Sequence, residues 1–286
     1  MSQLRATLPI VGIIYAIALS FCGLRPAAAA DLDILPDASL CMEAVRYIPP
    51  KTDQGVAGTI SGRSGLVGTQ TTAFYLSASI ETILGSERRP FDANQGSYHI
   101  ELGVDQRVQD LRLTPFFHHV SRHELDRSKP EAVDWNVLGL RVDGPWPRST
   151  QPKLRAAFSV GHTTAASLIG YRWEFTGKLD AVPGPRASAE IHGRARARFV
   201  TTAPNEYFPR KRFLDYSLEL AARWTRRRRT FEAFVSLDHR NDVLLTVPDA
   251  RTRLLLGVRF GLDDERGREL PAAAATRPLE APVRRP

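Results

Sequence analysis

Residues Tyr98–Asp105 read YHIELGVD, and this stretch decides the fold because its side chains alternate between apolar and polar. The apolar positions are Tyr98, Ile100, Leu102 and Val104, and the positions between them are His99, Glu101, Gly103 and Asp105. An alternation of period two places the two sets on opposite faces of a β-strand. The stretch therefore predicts a strand with one apolar and one polar face.

The same alternation recurs on both sides of this stretch, from Thr72 to Leu262. The other apolar series run through Phe74–Ile80, Leu111–Phe117, Leu138–Val142, Leu154–Val160, Ile169–Phe175, Ala189–Phe199, Leu214–Trp224, Phe231–Leu237 and Leu254–Leu262. The sequence thus predicts about ten strands of roughly 9–13 residues, about the length that a tilted strand needs to cross a bilayer.

The two faces distinguish a membrane barrel from a soluble β-sandwich. Sandwich strands also alternate, but they are shorter and their polar face meets water. Here large aromatic residues follow the apolar face along whole strands, and charges of both signs follow the other face. A closed barrel whose apolar side meets lipid accounts for both faces and leaves no unpaired edge in hydrocarbon.

The connections between the predicted strands alternate in length. Long ones fall at 85–95, 122–133, 201–211 and 239–250, and short ones fall near Val108, at 181–186 and at 225–229. The exceptions are 145–152, which is longer than the pattern predicts, and 163–167, which is shorter. Bacterial barrels have longer external loops, short periplasmic turns, an even strand count and both termini in the periplasm. Residues 31–70 show no sustained period, so they are either a periplasmic lead-in or weak strands that raise the count to twelve.

From Thr72 to Leu262 the chain resembles a Gram-negative outer-membrane β-barrel protein, with Phe260 near the end of an amphipathic last strand. The resemblance implies an all-β fold, a closed antiparallel up-and-down transmembrane barrel over residues 71–262, located in the outer membrane. It also implies contact with outer-membrane lipid or lipopolysaccharide, and insertion by the barrel assembly machinery. Residues 263–286 are polar and rich in alanine, proline and arginine, which predicts a disordered tail.

The first thirty residues have the organisation of a secretory signal peptide. Arg5 supplies the positive start, residues 8–22 form an apolar core, and residues 27–30 are alanines of the kind that precede a cleavage site. We expect cleavage before Asp31. The alternative is lipoprotein processing at Cys22. The apolar core is too short for a membrane-spanning helix, which needs about 20 residues.

Charge and cysteine content restrict the partners of the exported chain. Cys41 is the only cysteine after the signal peptide, so no intramolecular disulfide is possible. The formal net charge is +8, which in an exported protein favours acidic lipid head groups or polysaccharide over nucleic acid. We interpret the basic segment 226–229 as a solvated turn, and we expect no cofactor.

Charged residues of both signs are predicted to face the lumen. The central ones are Glu101, Arg172, Glu174, Arg194, Arg196, Arg198, Glu219 and Arg223. Such side chains either pair with one another and fill a narrow lumen or line a path for small anions, which the alternating Arg194, Arg196 and Arg198 favour. The leading functional prediction is therefore a barrel of the cell envelope that is structural or passes small solutes.

The segment Leu111–Val142 carries the side chains best suited to catalysis. His119, Ser121 and His123 have the parity of the apolar face, and residues two apart on a strand are separated by about 6.5–7 Å. A histidine there can act as general base for the serine, with a loop acid or Asp134 to orient it. The alternatives are a polar rim at the membrane boundary, or a metal site that includes Asp126.

His119–Val120–Ser121, followed by an acid, resembles the His-x-Ser motif of outer-membrane lipid A 3-O-deacylases. This chain has Arg122 where that family has asparagine. The resemblance implies that Ser121 is the nucleophile, His119 the base and Glu131 the orienting acid. It implies a lipid A or phospholipid acyl hydrolase with its site on the outside of the barrel, at the external rim.

Overall fold

The computed structural model describes residues 32–35, 37–51, 54–86, 89–125, 133–145, 153–182, 189–206, 208–241 and 250–263. The predicted signal peptide and residues 264–286 of the predicted tail lie outside these ranges. The strands are β1 Asp33–Ile34, β2 Ala38–Ile48, β3 Val56–Gly68, β4 Thr72–Gly85, β5 Asp92–Val108, β6 Leu111–Glu124, β7 Val133–Pro145, β8 Lys153–Ala166, β9 Tyr171–Val182, β10 Glu190–Thr202, β11 Arg212–Arg226, β12 Arg229–Arg240 and β13 Arg251–Asp263. No helix in the described ranges is long and apolar enough to cross a membrane.

Strands β2 to β13 form a closed antiparallel barrel of twelve strands. Each strand pairs with its neighbours in sequence, and the ring is closed by pairing of β2 with β13. That closing register runs from Leu254 opposite Ile48 to Asp263 opposite Ser39. The short β1 pairs with the end of β3 beyond β2, with Asp33 opposite Gly68. The predicted all-β, closed, up-and-down barrel is confirmed.

The two strands absent from the series of ten are β2 and β3, which come from the region left open by the sequence. β2 has a regular alternation, with Leu40 and Met42 exposed and Glu43 turned inward. β3, in contrast, contains glycine and serine where other strands have large apolar residues, so its outward face carries little hydrophobic signal. The structure pairs it with both β2 and β4, because backbone hydrogen bonds need no particular side chain.

The outer face of the barrel is an apolar belt. The large apolar side chains that remain exposed alternate along the strands, and they include Phe74, Leu76, Ile80, Ile100, Leu102, Phe117, Phe158, Leu218, Leu220, Leu256, Val258 and Phe260. Exposed apolar residues at every second position suit a surface that meets hydrocarbon. Both termini of the barrel and the two-residue turns 109–110 and 227–228 lie at one end, which we assign to the periplasm.

Inward aromatic side chains of β4 and β12 lie over glycines of the neighbouring strand. Phe234 pairs with Gly257 in the ladder of β12 and β13, and a Cβ added at Gly257 would lie 2.2 Å from the Phe234 ring. Tyr75 covers Gly103 in the same way, with 2.6 Å to its hydroxyl oxygen. The absent side chain leaves the space that the ring fills, which explains why Phe234 departs from the apolar parity of β12.

We predict that the cost of a charge on the belt depends on its depth. Leu218 lies near the middle of β11 and Leu214 near its external end, and both are exposed. Leu218→Arg is expected to lower the free energy of unfolding in phospholipid vesicles by about 2–4 kcal/mol, and Leu214→Arg by about 0–1 kcal/mol. Reversible guanidinium unfolding followed by tryptophan fluorescence measures both. Equal losses of unfolding free energy would contradict the placement of Leu218 nearer to the bilayer midplane than Leu214.

Candidate functional site

A polar patch interrupts the apolar belt at the external ends of β5, β6 and β7. On β6 it contains His119, Ser121 and His123, and the register places Asn136 of β7 opposite His119. Tyr98 of β5 lies opposite Ser121. Tyr98 and its neighbours on this face are exposed, whereas Val120, of the other parity, is 1% exposed. The three side chains therefore point outward, as predicted, at the level where the belt ends.

Two hydrogen bonds organise this patch. Ser121 Oγ lies 2.8 Å from His123 Nε2, and His119 Nδ1 lies 2.7 Å from Asn136 Oδ1. The Tyr98 ring meets the His123 imidazole edge-on, with 5.7 Å between their centroids. A polar group in an apolar medium costs several kcal/mol unless it is paired, so each of these contacts lowers the cost of the patch.

The contacts define what each imidazole can do. The Asn136 Oδ1 atom only accepts hydrogen bonds, so Nδ1 of His119 carries the proton and Nε2 of a neutral ring keeps its lone pair. Nε2 of His123 is within hydrogen-bonding distance of the serine hydroxyl and is placed to receive its proton. The patch therefore contains a serine hydroxyl within hydrogen-bonding distance of one imidazole, and a second imidazole that an amide orients.

The arrangement differs from the predicted triad in its partners. Ser121 is bonded to His123, which the sequence placed on the same face, whereas His119 is bonded to Asn136. Glu131 lies outside the described residues. Asn136 could not be identified from the sequence, because the residue opposite His119 depends on the register of β6 and β7. The parity of His123 was the available signal for its role.

The predicted lumen charges occur in ion pairs between strands. Arg198 is paired with Glu174 at 2.9 Å, and Arg194 with Glu219 at 2.8 Å. Other close pairs include Arg141 with Glu101, Arg223 with Glu232, Arg240 with Glu81, and Arg259 with Glu43, Glu219 and Glu232. Arg172 lies exposed at the start of β9. The predicted charges other than Arg172 thus have inward partners or, as for Arg196, line the lumen cavity.

A cavity of about 700 Å³ occupies the lumen. Arg196, Arg198 and Lys178 line it together with acidic side chains, and His99 and His118 meet there with 3.3 Å between Nδ1 and Nε2. Towards the external end a hydrophobic cluster packs inside the barrel and borders the cavity. It comprises Phe116, Val120, Val133, Trp135, Val137, Tyr171, Val200, Phe208 and Phe213.

These features define a twelve-stranded barrel of the outer-membrane type with an outward serine–histidine pair. No protein-family model matches the sequence, and no curated protein matches it. Among solved structures, the chain is similar to an outer membrane channel from Pseudomonas putida F1, with 7% identity, 84% of this chain and 100% of that chain covered, and a TM-score of 0.53.

Two further similarities are more distant in shape. The KdgM porin is 11% identical, with 78% of this chain and 98% of that chain covered and a TM-score of 0.46. The outer membrane phospholipase A from Escherichia coli is 11% identical, with 79% of this chain and 92% of that chain covered and a TM-score of 0.47. At these identities the likeness is one of fold, and the chemistry must be argued from the residues.

We predict that Ser121 is the reactive serine of the barrel. A fluorophosphonate should label Ser121 in the folded protein, because His123 removes the hydroxyl proton as the oxygen attacks phosphorus. His123→Ala should slow labelling about 10²-fold or more. Mass spectrometry of proteolytic peptides measures the labelling, and Ser159, which is buried and bonded to Thr176, serves as internal control. Equal labelling in wild type and His123→Ala would contradict activation by His123.

Proposed function

We propose that the chain is a serine hydrolase that cleaves acyl esters of lipids in the outer leaflet of the outer membrane. The observation that carries the proposal is the distance of 2.8 Å between Ser121 Oγ and His123 Nε2 on the outward face. A hydroxyl within about 2.6–3.2 Å of an imidazole nitrogen is the arrangement that nucleophilic catalysis by serine requires.

The position of the pair supports a lipid as substrate. Ile100 and Phe117, next to the patch on β5 and β6, are exposed on the same face, so a molecule that reaches Ser121 arrives from the side, within the membrane. Acyl chains would pack on this apolar surface while the ester carbonyl lies at the level of Ser121. The net charge of +8, to which Arg5 and Arg25 of the predicted signal peptide contribute two, leaves the exported chain basic and favours a lipid with phosphate groups.

The reaction would proceed by acyl transfer to the serine. Nε2 of His123 takes the proton of Ser121 while Oγ bonds to the ester carbonyl carbon and gives a tetrahedral intermediate. The imidazolium then gives that proton to the leaving alkoxide, the ester bond breaks, and an acyl-serine remains. Water attacks the acyl-serine with His123 again as base, which releases the fatty acid and restores the serine.

His119 and Asn136 supply a second histidine beside the nucleophile. With Nδ1 bonded to Asn136, the free lone pair of His119 is on Nε2, the nitrogen that serves as base in serine hydrolases of the Ser-His-Asp type. Residues two apart on a strand are separated by about 6.5–7 Å, so a rotation of Ser121 about χ1 turns its hydroxyl from His123 towards His119. Comparison of the two histidine variants separates these roles.

We predict that the purified barrel releases fatty acid from lipid vesicles. Ser121→Ala should abolish release, and His123→Ala should reduce it about 10²–10⁴-fold, the usual contribution of a general base. His119→Ala should be the milder variant if His123 is the base in turnover. His162→Ala, in which the lost imidazole lies beside Trp173, is the matched control.

The lipid source is decided by the composition of the vesicles. Parallel assays use phospholipid vesicles and vesicles that also contain lipopolysaccharide, and mass spectrometry identifies the released acyl chain and the deacylated lipid. Release from the first identifies a phospholipid substrate, and release only from the second identifies lipid A. No release from either vesicle, with the folded barrel verified by electrophoresis, would overturn the proposal.

A second candidate function is a path for small anions through the lumen. Arg196 favours it, because this side chain is exposed and lines the cavity. Within the described ranges Arg196 forms no ion pair and no hydrogen bond. The ion pairs of Arg194 and Arg198 on either side leave Arg196 as the cation that faces the open space.

We predict for this candidate that the barrel conducts in planar bilayers with anion selectivity. Arg196→Glu should reverse or abolish the selectivity, because it replaces the cation that faces the cavity. Arg226→Glu, which changes a charge at the end of β11 beside the periplasmic turn, is the control and should leave selectivity unchanged. A barrel that stays silent under voltage would remove this function.

A further inference from the structure

The lumen contains a second group of chemically notable side chains, separate from the outward patch. His192 of β10, Glu219 of β11 and Glu232 of β12 point inward from three consecutive strands. One donor atom from each residue, a ring nitrogen and two carboxylate oxygens, lies within 4.8 Å of the other two. His192 Nε2 and Glu232 Oε1 are 3.8 Å apart.

The imidazole of His192 is buried and unsatisfied. It is 2% exposed, and neither Nδ1 nor Nε2 has a hydrogen-bond partner within the described part of the chain. Leaving a buried polar atom without a partner costs about 1–3 kcal/mol. His192 Nε2 lies 3.8 Å from Glu232 Oε1, beyond hydrogen-bonding distance, and a cation between the two atoms would pair with both.

We propose that His192, Glu219 and Glu232 bind a divalent transition-metal ion, of which zinc is the best fit. Imidazole suits zinc, copper, iron and nickel, whereas magnesium and calcium prefer oxygen ligands alone. Zinc takes nitrogen and carboxylate oxygen ligands at about 2.0–2.2 Å, with a water at a fourth position. His192 Nε2 and Glu232 Oε1 are 3.8 Å apart, and a small adjustment of the side chains, with the arginine contacts kept, brings them to the spacing of about 3.3–3.5 Å that such bonds require.

The arginines of the lumen leave room for the ion. Glu232 accepts from Arg223 at 2.6 Å and from Arg259 at 2.5 Å, one bond to each oxygen. A carboxylate offers about four lone-pair sites, so both oxygens retain one. Glu219 accepts from Arg194 and Arg259 at Oε1 and from Arg259 at Oε2, so Oε2 is the oxygen that retains a lone pair. The arginines thus fix both carboxylates in orientation, as partners outside the ligand shell do in metal sites.

The bound ion would cross-link β10, β11 and β12 inside the barrel. Because the three ligands come from three strands, the ion would stabilise the folded barrel and have no counterpart in the unfolded chain. This site is independent of the outward serine, so neither proposal depends on the other.

The test measures Zn²⁺ binding to the full-length barrel, refolded in detergent and stripped with EDTA. Competition with a chromophoric chelator gives the number of equivalents bound. His192→Ala and His192→Gln should each bind one equivalent fewer than wild type, and His162→Ala should bind as wild type does. Zn²⁺ should raise the thermal unfolding midpoint of wild type and of His162→Ala more than that of either His192 variant.

Folding and ligation are separated within the same experiment. The imidazole of His192 holds no hydrogen bond in the described part of the chain, so its replacement should leave the folded mobility on unheated gels intact in EDTA. Glu232→Gln should also lose the equivalent, provided that it shows the same mobility. Identical Zn²⁺ uptake by wild type and His192→Gln, or no uptake by wild type, would overturn the proposal.

Discussion

The barrel of β2 to β13 depends on the need to pair backbone N–H and C=O groups where no water is present. In hydrocarbon each unpaired group costs several kcal/mol, so a sheet in a membrane must close. Pairing of β2 with β13 supplies that closure. Once closed, the ladder imposes a period of two on the side chains, with lipid on one face and the lumen on the other. The charges must then find partners inside, as Arg259 does with Glu43, Glu219 and Glu232.

The same constraint makes the outward patch informative. Along the middle of the strands the lipid-facing surface carries apolar side chains, and apolar residues at His119, Ser121 and His123 would satisfy the fold at less cost. The pairs Ser121–His123 and His119–Asn136 reduce the cost of these groups without removing it. Polar residues that a membrane surface does not require are commonly functional, and on this observation we base the proposal that Ser121 is a nucleophile.

The lumen shows the complementary case. Paired arginines and carboxylates replace the hydrophobic core of a soluble protein, and a buried pair is tolerated because each charge is both neutralised and hydrogen-bonded. His192 differs from the paired charges around it, since its imidazole is 2% exposed and has no hydrogen bond in the described ranges. An inward side chain that departs from the general pattern of pairing is the natural place to expect a ligand.

The sequence by itself determined the class of fold, the apolar and polar faces, and the outward direction of His119 and Ser121, because alternation is a local property of each strand. It did not predict β2 and β3 with certainty, since the outward positions of β3 carry small residues. Only the tertiary structure decided the partners. Asn136 is hydrogen-bonded to His119, and Glu232 lies 3.8 Å from His192, because of the register of the strands that carry them. A shift of one residue moves every partner to the other face, and that register is set by pairing around the whole ring.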